Sequence, residues 1–339
     1  MPGHMLGITI TTRNFGNLNC HILTRVGFKY SGEYSERNSV NTQRSVERLV
    51  RNGDIPDDAE VVSENNKIVV ISRRERIVSR IGNLANAKLR DDPHDLNYSH
   101  RVAWLAGDSA PVVKPLQEMP VVSGDHLISN YPLLDSDVRL DESRAGDVFA
   151  MARDLGLALP VVEAGMKLRQ LDVATYVQER LDHMVDNPDY DQSLVEYVNR
   201  EIQRMKKEAP FLQLTEDDRA LVHGDFKADN VVADDNGNLK AIDVDAAAVG
   251  PRLYDLASWR LRSEMGDDAP VEEMANVGRR TESWREDSFR SLIGWKAISS
   301  MSFTLRYEPP EVNKEKIAHI AQSATNLGGI DSKPPTTAS

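Results

Sequence analysis

The chain has 339 residues, 40% apolar and 28% charged, a balance that suits a globular protein large enough to bury a core of its own. A net charge of −12 argues against non-specific nucleic-acid binding, which needs a surplus of Lys and Arg, and no run of 18 apolar residues could span a bilayer. A single cysteine, Cys20, excludes an internal disulfide framework and a thiolate zinc site, so the expected setting is the cytoplasm, with neither nucleic acid nor membrane as partner.

Residues 1–40 show no periodicity and no acid before Glu33, and they lack the apolar centre of a secretory signal. They are set aside as an N-terminal extension: a leader, a cloning remnant or an upstream addition. Residues 41–135 form the first expected domain. "TQRSVERLVRNG" has helical spacing and ends at Gly53, a C-cap glycine. "NNKIVVIS" and "ERIVSRIG" are β-branched runs separated by a charged turn, the pattern of a hairpin. "DLNYSHRVAWLAG" is an amphipathic helix stopped by Gly107, and "EMPVVSGDHLISNYPLL" supplies two more strands around Ser123-Gly124-Asp125.

Residues 136–328 form the second expected domain, and its character is helical. Segments 142–157, 170–184, 191–207, 252–263, 282–307 and 311–326 carry apolar residues at helical spacing, and 329–339 is a polar tail. Charge differs between the halves, residues 1–140 summing to 0 and residues 141–339 to −12. Such a split suits a first lobe that handles an anion and a second that handles a cation, although an acidic helical surface that serves only solubility gives the same count. The expected fold class is α+β: a small antiparallel β lobe followed by a larger, mostly helical lobe.

Between the helices lies "LVHGDFKADNVVADDNGNLKAIDVDAAAVGPRLYDLASW", residues 221–259, with seven aspartates. Val231 to Ala233 and Leu239 to Val244 are short strands joined across "DDNGN", where Asn236-Gly237 is a hairpin turn. The hairpin brings Asp225 and Asn230, on the loop before its first strand, next to Asp243 at the end of its second. An Asp, an Asn and a second Asp at one mouth suit Mg²⁺, which takes one or two carboxylates and completes its shell with phosphate oxygens and water. Asp243 and Asn230 can be ligands, leaving Asp225 to act as base or orienter for a hydroxyl, while His223 and Gly224 shape the loop.

"HGDFKADN" resembles the H-G-D-x-x-x-x-N catalytic loop of the aminoglycoside phosphotransferase and choline kinase group. "IDVD", whose first Asp lies thirteen residues after Asn230, resembles the metal-binding motif of that group, and "GPRLYDLASW" its G-P-x-x-x-D-L-A segment. The resemblance implies the two-lobed protein-kinase-like fold and an ATP- and Mg²⁺-dependent transfer of phosphate to a hydroxylated small molecule. Aminoglycoside-like antibiotics, amino-alcohols and sugar metabolites are the acceptor classes it implies, and the acidic second lobe leans toward a cationic one. It implies that Asp225 accepts the hydroxyl proton and that Asn230 and Asp243 hold the metal. Lys227 is either a contact to the moving phosphate or a solvent lysine, and Asp255 braces the loop.

In the first lobe, Arg80 stands where the family has a basic strand residue on the ATP phosphates, though arginine on an exposed strand edge is also common. Residues Ser129, Asn130 and Tyr131 would form the hinge that bonds adenine through the backbone, or they are merely a strand and its exit. "SENNK" is expected to cover the phosphates. Where the family has a helix glutamate to pair with the basic residue, this chain has Tyr98 and Ser99, which motivates a second possibility, a silent nucleotide-binding relative. A protein kinase is disfavoured because only eleven residues separate Asp243 from Asp255, too few for a peptide-docking segment. Asp229, Asp234 and Asp235 are expected to face water, and Asp245 is a secondary metal candidate on the same strand face as Asp243. Trp259, Trp284 and Trp295 are core by default, and Glu179, Asp182, Asp186 and Asp189 form either a solvated helix face or the wall of a cationic pocket.

Overall fold

The computed structural model of the chain describes residues 44–63, 68–83, 96–134, 140, 142–211, 218–266 and 286–330. The N-terminal extension, most of "SENNK", Trp284 and the polar tail lie outside the described residues. Two compact units form, Met1–His100 with Pro115–Val138 and Arg101–Lys114 with Arg139–Ser339. Among the described residues no helix is long and apolar enough to cross a membrane.

The first unit opens with a helix, α1 (44–51), ended at Gly53, whose φ of +76° is the left-handed conformation that glycine adopts without a Cβ clash. Five strands follow: β1 (Glu60–Ser63), β2 (Ile68–Ser72), β3 (Ile77–Asn83), β4 (Val121–Ser123) and β5 (His126–Pro132). They form one antiparallel sheet in the order β1-β2-β3-β5-β4. The short "EVVS" of β1 is an edge strand that the sequence pattern does not announce. Val70, Ile81 and Ile128 from the sheet pack with Val46, Leu49 and Ile55, closing a core between α1 and one face of the sheet.

Helix α2 (Leu96–Ala106) starts in the first unit and ends in the second. Residues 101–114 belong with the second unit although sequence pattern groups them with the first. Backbone pairing explains it: the Val113 N–H donates to the Ala241 carbonyl at 2.9 Å and the Ala241 N–H to the Pro111 carbonyl at 2.7 Å.

The second unit is built from α3 (Ala145–Leu157), α4 (Leu159–Gly165), α5 (Val173–Asp182), α6 (Gln192–Glu208), α7 (Tyr254–Glu264), α8 (Glu286–Tyr307) and α9 (Pro310–Asn326). Asp172 caps α5 and Asp191 caps α6, each accepting first-turn N–H groups. Helix α8 is buried on nearly every side, as its lack of a polar stripe requires, and it packs against α5, α6, α7 and α9. Trp295 on α8 and Trp259 on α7 are fully enclosed, so the core role expected of both holds. Trp295 stands edge-on to Phe211 and donates its indole N–H to the Ala209 carbonyl at 2.8 Å.

Two antiparallel ribbons complete the unit. β6 (Arg219–Val222) pairs with β9 (Ala248–Pro251), and β7 (Val231–Ala233) pairs with β8 (Leu239–Ala241). The second strand of the inner ribbon is therefore shorter than its apolar run: it stops at Ala241, and Val244–Ala246 forms a 3-10 turn.

Candidate active site

The two ribbons are nested, β6 leading through a loop to β7 and β8 returning through a turn to β9. Pairing of Val222 with Ala248 and of Val231 with Ala241 forces the loop 223–230 to lie against the turn 242–247. Gly224 is where the two backbones touch. Its φ is +81°, and a Cβ there would lie 2.4 Å from the Ala246 carbonyl oxygen, so no other residue fits. The Ile242 N–H donates to the Asn230 carbonyl at 2.9 Å, which sets Asn230 beside the corner that carries Asp243.

Asp255, the second residue of α7, anchors the loop from below. Its buried carboxylate accepts the N–H of His223 at 2.6 Å and of Gly224 at 3.0 Å. Burial is the strongest influence on this carboxyl and pushes it above the usual range, against the pull of His223 and of the two amides. The His223 ring is fully buried with Nε2 2.8 Å from the Ile242 carbonyl, which fixes the tautomer with the proton on Nε2. Its ring also meets Phe226, and Phe226 meets Trp259. The histidine holds loop to turn and faces the core.

Asp225 points the other way, with 42% of its side chain exposed. Its Oδ2 accepts from the Lys227 Nζ at 2.7 Å, and the Asn230 amide nitrogen donates to its backbone carbonyl at 2.8 Å. Lys296 of α8, a residue that carries no motif, comes within 4.0 Å of Oδ1 and donates to the Gly224 carbonyl at 3.3 Å. Desolvation, the largest single influence, pulls the Asp225 carboxyl up, yet the charges of Lys227 and Lys296 together hold it well below the usual carboxylate range. Asp225 is thus an anion at any working pH. Burial draws the Lys296 ammonium down, opposed by Asp225.

Asp243 follows β8 with φ 61° and ψ 50°, a left-handed conformation uncommon outside glycine but tolerated by Asp, and it is exposed. The expectation that Asp245 shares its strand face is corrected: the 3-10 turn at 244–246 replaces the strand, so the two-residue alternation does not apply. Asp234 faces water, as expected, and has a structural role as well. Its carboxylate takes the N–H groups of Asn236 and Asn238, both at 2.9 Å, and so closes the hairpin turn. Among the described residues no three His, Cys, Asp or Glu side chains cluster to hold a metal by themselves. What the loop offers is one amide oxygen and one exposed carboxylate close in the chain's path, a donor set that fits an ion shared with phosphate rather than a protein cage.

In the first unit the expected nucleotide residues lie on the inner strands. Arg80 is half-buried on β3, paired on one side with Val69 and on the other with Ser129, so it is not on a sheet edge. The Ser129 hydroxyl is fully buried and lies 2.5 Å from His100 Nδ1 of α2. Asn130 accepts from Ser79 through its side chain at 2.6 Å and from the Leu116 N–H through its carbonyl at 2.8 Å. Tyr131 pairs with Val78. Helix α2 carries no acidic residue at all, and it is His100 that ties it to the sheet.

Several solved structures match over most of their length. An amicoumacin kinase in complex with AMP-PNP, Ca²⁺ and its antibiotic superposes with a TM-score of 0.60 at 13% identity, covering 87% of this chain and 96% of that one. The GDP and kanamycin complex of an aminoglycoside 2''-phosphotransferase gives 0.58 at 16%, covering 84% and 99%. The choline kinase LicA from Streptococcus pneumoniae gives 0.59 at 12%, covering 84% and 99%. No curated protein matches by sequence. Likeness at such identities is one of fold, and the fold is the protein-kinase-like fold of small-molecule kinases. Residues 103–290, more than half of the chain, match the phosphotransferase enzyme family, and the chain belongs to that family.

Proposed function

We propose that the protein transfers the γ-phosphoryl group of ATP to a hydroxyl of a small molecule in a Mg²⁺-dependent reaction. The observation that carries this reading is the meeting of Asp225, Asn230 and the Ile242-Asp243 corner at one mouth of the nested ribbons. In the transfer, the bond from the acceptor oxygen to the γ-phosphorus forms as the bond to the bridging oxygen breaks. ADP leaves, and the hydroxyl proton passes to Asp225. A carboxyl held so far below the usual range is a weak base, so its main contribution is to orient the hydroxyl, with proton transfer late. Lys227 neutralises charge on the moving phosphate when it swings from Asp225.

Asn230 and Asp243 would hold Mg²⁺, whose charge offsets that of the phosphates. Arg80 would meet the same phosphates from β3, and the backbone of 129–131 would meet the base. His223 and Asp255 keep the loop in place. Nucleotide use finds support in relatives solved with GDP and with AMP-PNP and Ca²⁺, and a small acceptor finds support in those solved with kanamycin or amicoumacin. Within the acceptor classes of the family, aminoglycoside-like antibiotics, amino-alcohols and sugar metabolites, the acid run offers no pocket: Glu179, Asp182, Asp186 and Asp189 are all exposed.

ADP release measured with Mg²⁺, ATP and a panel of hydroxylated acceptors tests the reading, with Asp243→Ala expected to weaken Mg²⁺-dependent nucleotide binding. Full Mg-ATP affinity in that variant would remove Asp243 as a ligand. The absence of any acid on α2 favours a second reading, a silent nucleotide-binding relative. Tight Mg-ATP binding with no phosphorylated product from any acceptor would select it.

A further inference from the structure

The face shared by α5 and α8 carries charge of the wrong sign for a cationic acceptor. Arg180 of α5 is half-buried, with its guanidinium carbon 4.8 Å from the Tyr176 ring centroid and 5.7 Å from that of Phe303. Among the described residues its hydrogen bond runs from Nη1 to the Ser302 hydroxyl at 3.3 Å, and no described carboxylate pairs with it. Of the two acids on its own helix, Glu179 is exposed and Asp182 accepts from Gln178 at 2.9 Å. A guanidinium has five N–H donors in a planar fork, and here aromatic rings hold the plane while most donors take no partner among the described residues.

On α8, positions 296, 299, 303 and 307 share one face by helical spacing. Lys296 is beside Asp225, as described above. Ser299 is 2.5 Å from the Tyr176 hydroxyl, whose ring is the one that the Arg180 guanidinium overlies. Phe303 and Tyr307 stack at 4.7 Å and leave 44% and 40% of their surface to solvent, an apolar patch on an otherwise well-buried helix. The strip thus runs from the reacting aspartate through a polar relay to an arginine bordered by exposed rings.

We propose that this strip is the acceptor subsite and that it takes a hydroxylated acid. The acceptor's carboxylate pairs with the Arg180 fork, which the Phe303 ring borders, and its hydroxyl reaches Asp225. The assignment rests on the phosphotransferase reading above. Lys227 and Lys296 beside Asp225 reinforce it, because an ammonium on the acceptor would meet two cations near the transfer point and a third at Arg180.

The test is a matched acceptor panel with full-length protein and Mg-ATP: hydroxy-carboxylates (glycerate, threonate, gluconate) against hydroxy-amines (aminopropanediol, glucosamine, ethanolamine), followed by mass spectrometry of the products. Transfer should favour the carboxylates. Arg180→Gln should raise the KM for the best of them at least tenfold while leaving the KM for ATP and the melting temperature unmoved, and Arg180→Lys should recover part of the loss. Preference for the amines, or an Arg180→Gln variant with unchanged acceptor KM, overturns the subsite. Transfer only to neutral sugars overturns it as well but leaves the phosphotransferase reading standing. No product from any acceptor overturns both.

Discussion

The loop 223–230 and the strand segment 129–131 are both expected to handle the nucleotide, and they are built in opposite ways. In the loop, buried groups serve as anchors so that others can be presented: Asp255 and His223 hold the backbone, and Asp225 is left facing outward. In the strand, the side chains are themselves absorbed into structure, Ser129 by His100 and Asn130 by Ser79. Presentation of a reacting group requires identified side chains in a fixed order, whereas a strand that offers backbone groups accepts many sequences. The first kind of site leaves a motif and the second does not.

Substitutions in the loop should therefore separate function from stability more sharply than those in the sheet. Asp225→Ala should have the largest effect, lowering kcat by about a hundred- to ten-thousandfold, the usual worth of a positioned acid or base. Affinity for ATP, measured by calorimetry, should survive, because the role proposed for Asp225 is toward the acceptor hydroxyl and not the nucleotide. Turnover at the wild-type rate would show that the loop presents nothing. Gly224→Ala should instead destabilise by more than about 2 kcal/mol, since the left-handed backbone alone costs a non-glycine residue about 1–2 and the new Cβ must also displace the Ala246 carbonyl. Urea unfolding reads it directly, and a variant as stable as wild type would mean that loop and turn are not in contact.

The sheet is probed by Arg80→Gln. Charge-assisted bonds to phosphate contribute about 1.5–3 kcal/mol, so the KM for ATP should rise about ten- to a hundredfold with kcat much less affected. An unchanged KM would assign Arg80 to the sheet alone, and the comparison would then contrast a site with a scaffold.

How much of this was legible in the sequence follows from the same difference. The hairpins, the helix stops at Gly53 and Gly107 and the long helices carry local periodicity, so the pattern of apolar residues and turn chemistry is enough to place them. The meeting of Asp225, Asn230 and the Asp243 corner was legible because a tight hairpin makes neighbours of residues close in sequence. The four-residue strand β1 and the "AVGP" strand β9 were not, being too short for alternation to register. Lys296 was missed for a different reason: it lies 71 residues beyond Asp225 on an otherwise apolar helix, and only the packing of α8 against the ribbons brings it there. One signal existed, a lone basic residue inside "LIGWKAISSM", where a lysine at the centre of an apolar run needs an anionic partner. Exchange of strand for turn at Val244–Ala246 depends on the second ribbon, which sequence reasoning did not contain.

The smallest effect is the most discriminating about the anchor, because it is read as a sign and not as a size. Burial raises the Asp255 carboxyl above its ordinary value, while His223 and two backbone amides pull it down, and burial wins. A group whose folded pKa exceeds its unfolded value binds its proton more tightly in the native state. Its contribution to stability is therefore fully present below the unfolded value, near 4 for Asp, and declines as pH rises through the folded one. Asp255→Asn removes this titration, so the stability of wild type minus that of the variant should fall as pH is raised from about 4 toward neutrality, measured by urea unfolding at each pH. A difference that grows over the same range would mean that the His223 and Gly224 amides outweigh desolvation. In that case Asp255 stabilises the loop as an anion, and the anchor of the loop would follow the same electrostatic rule as Asp225 above it.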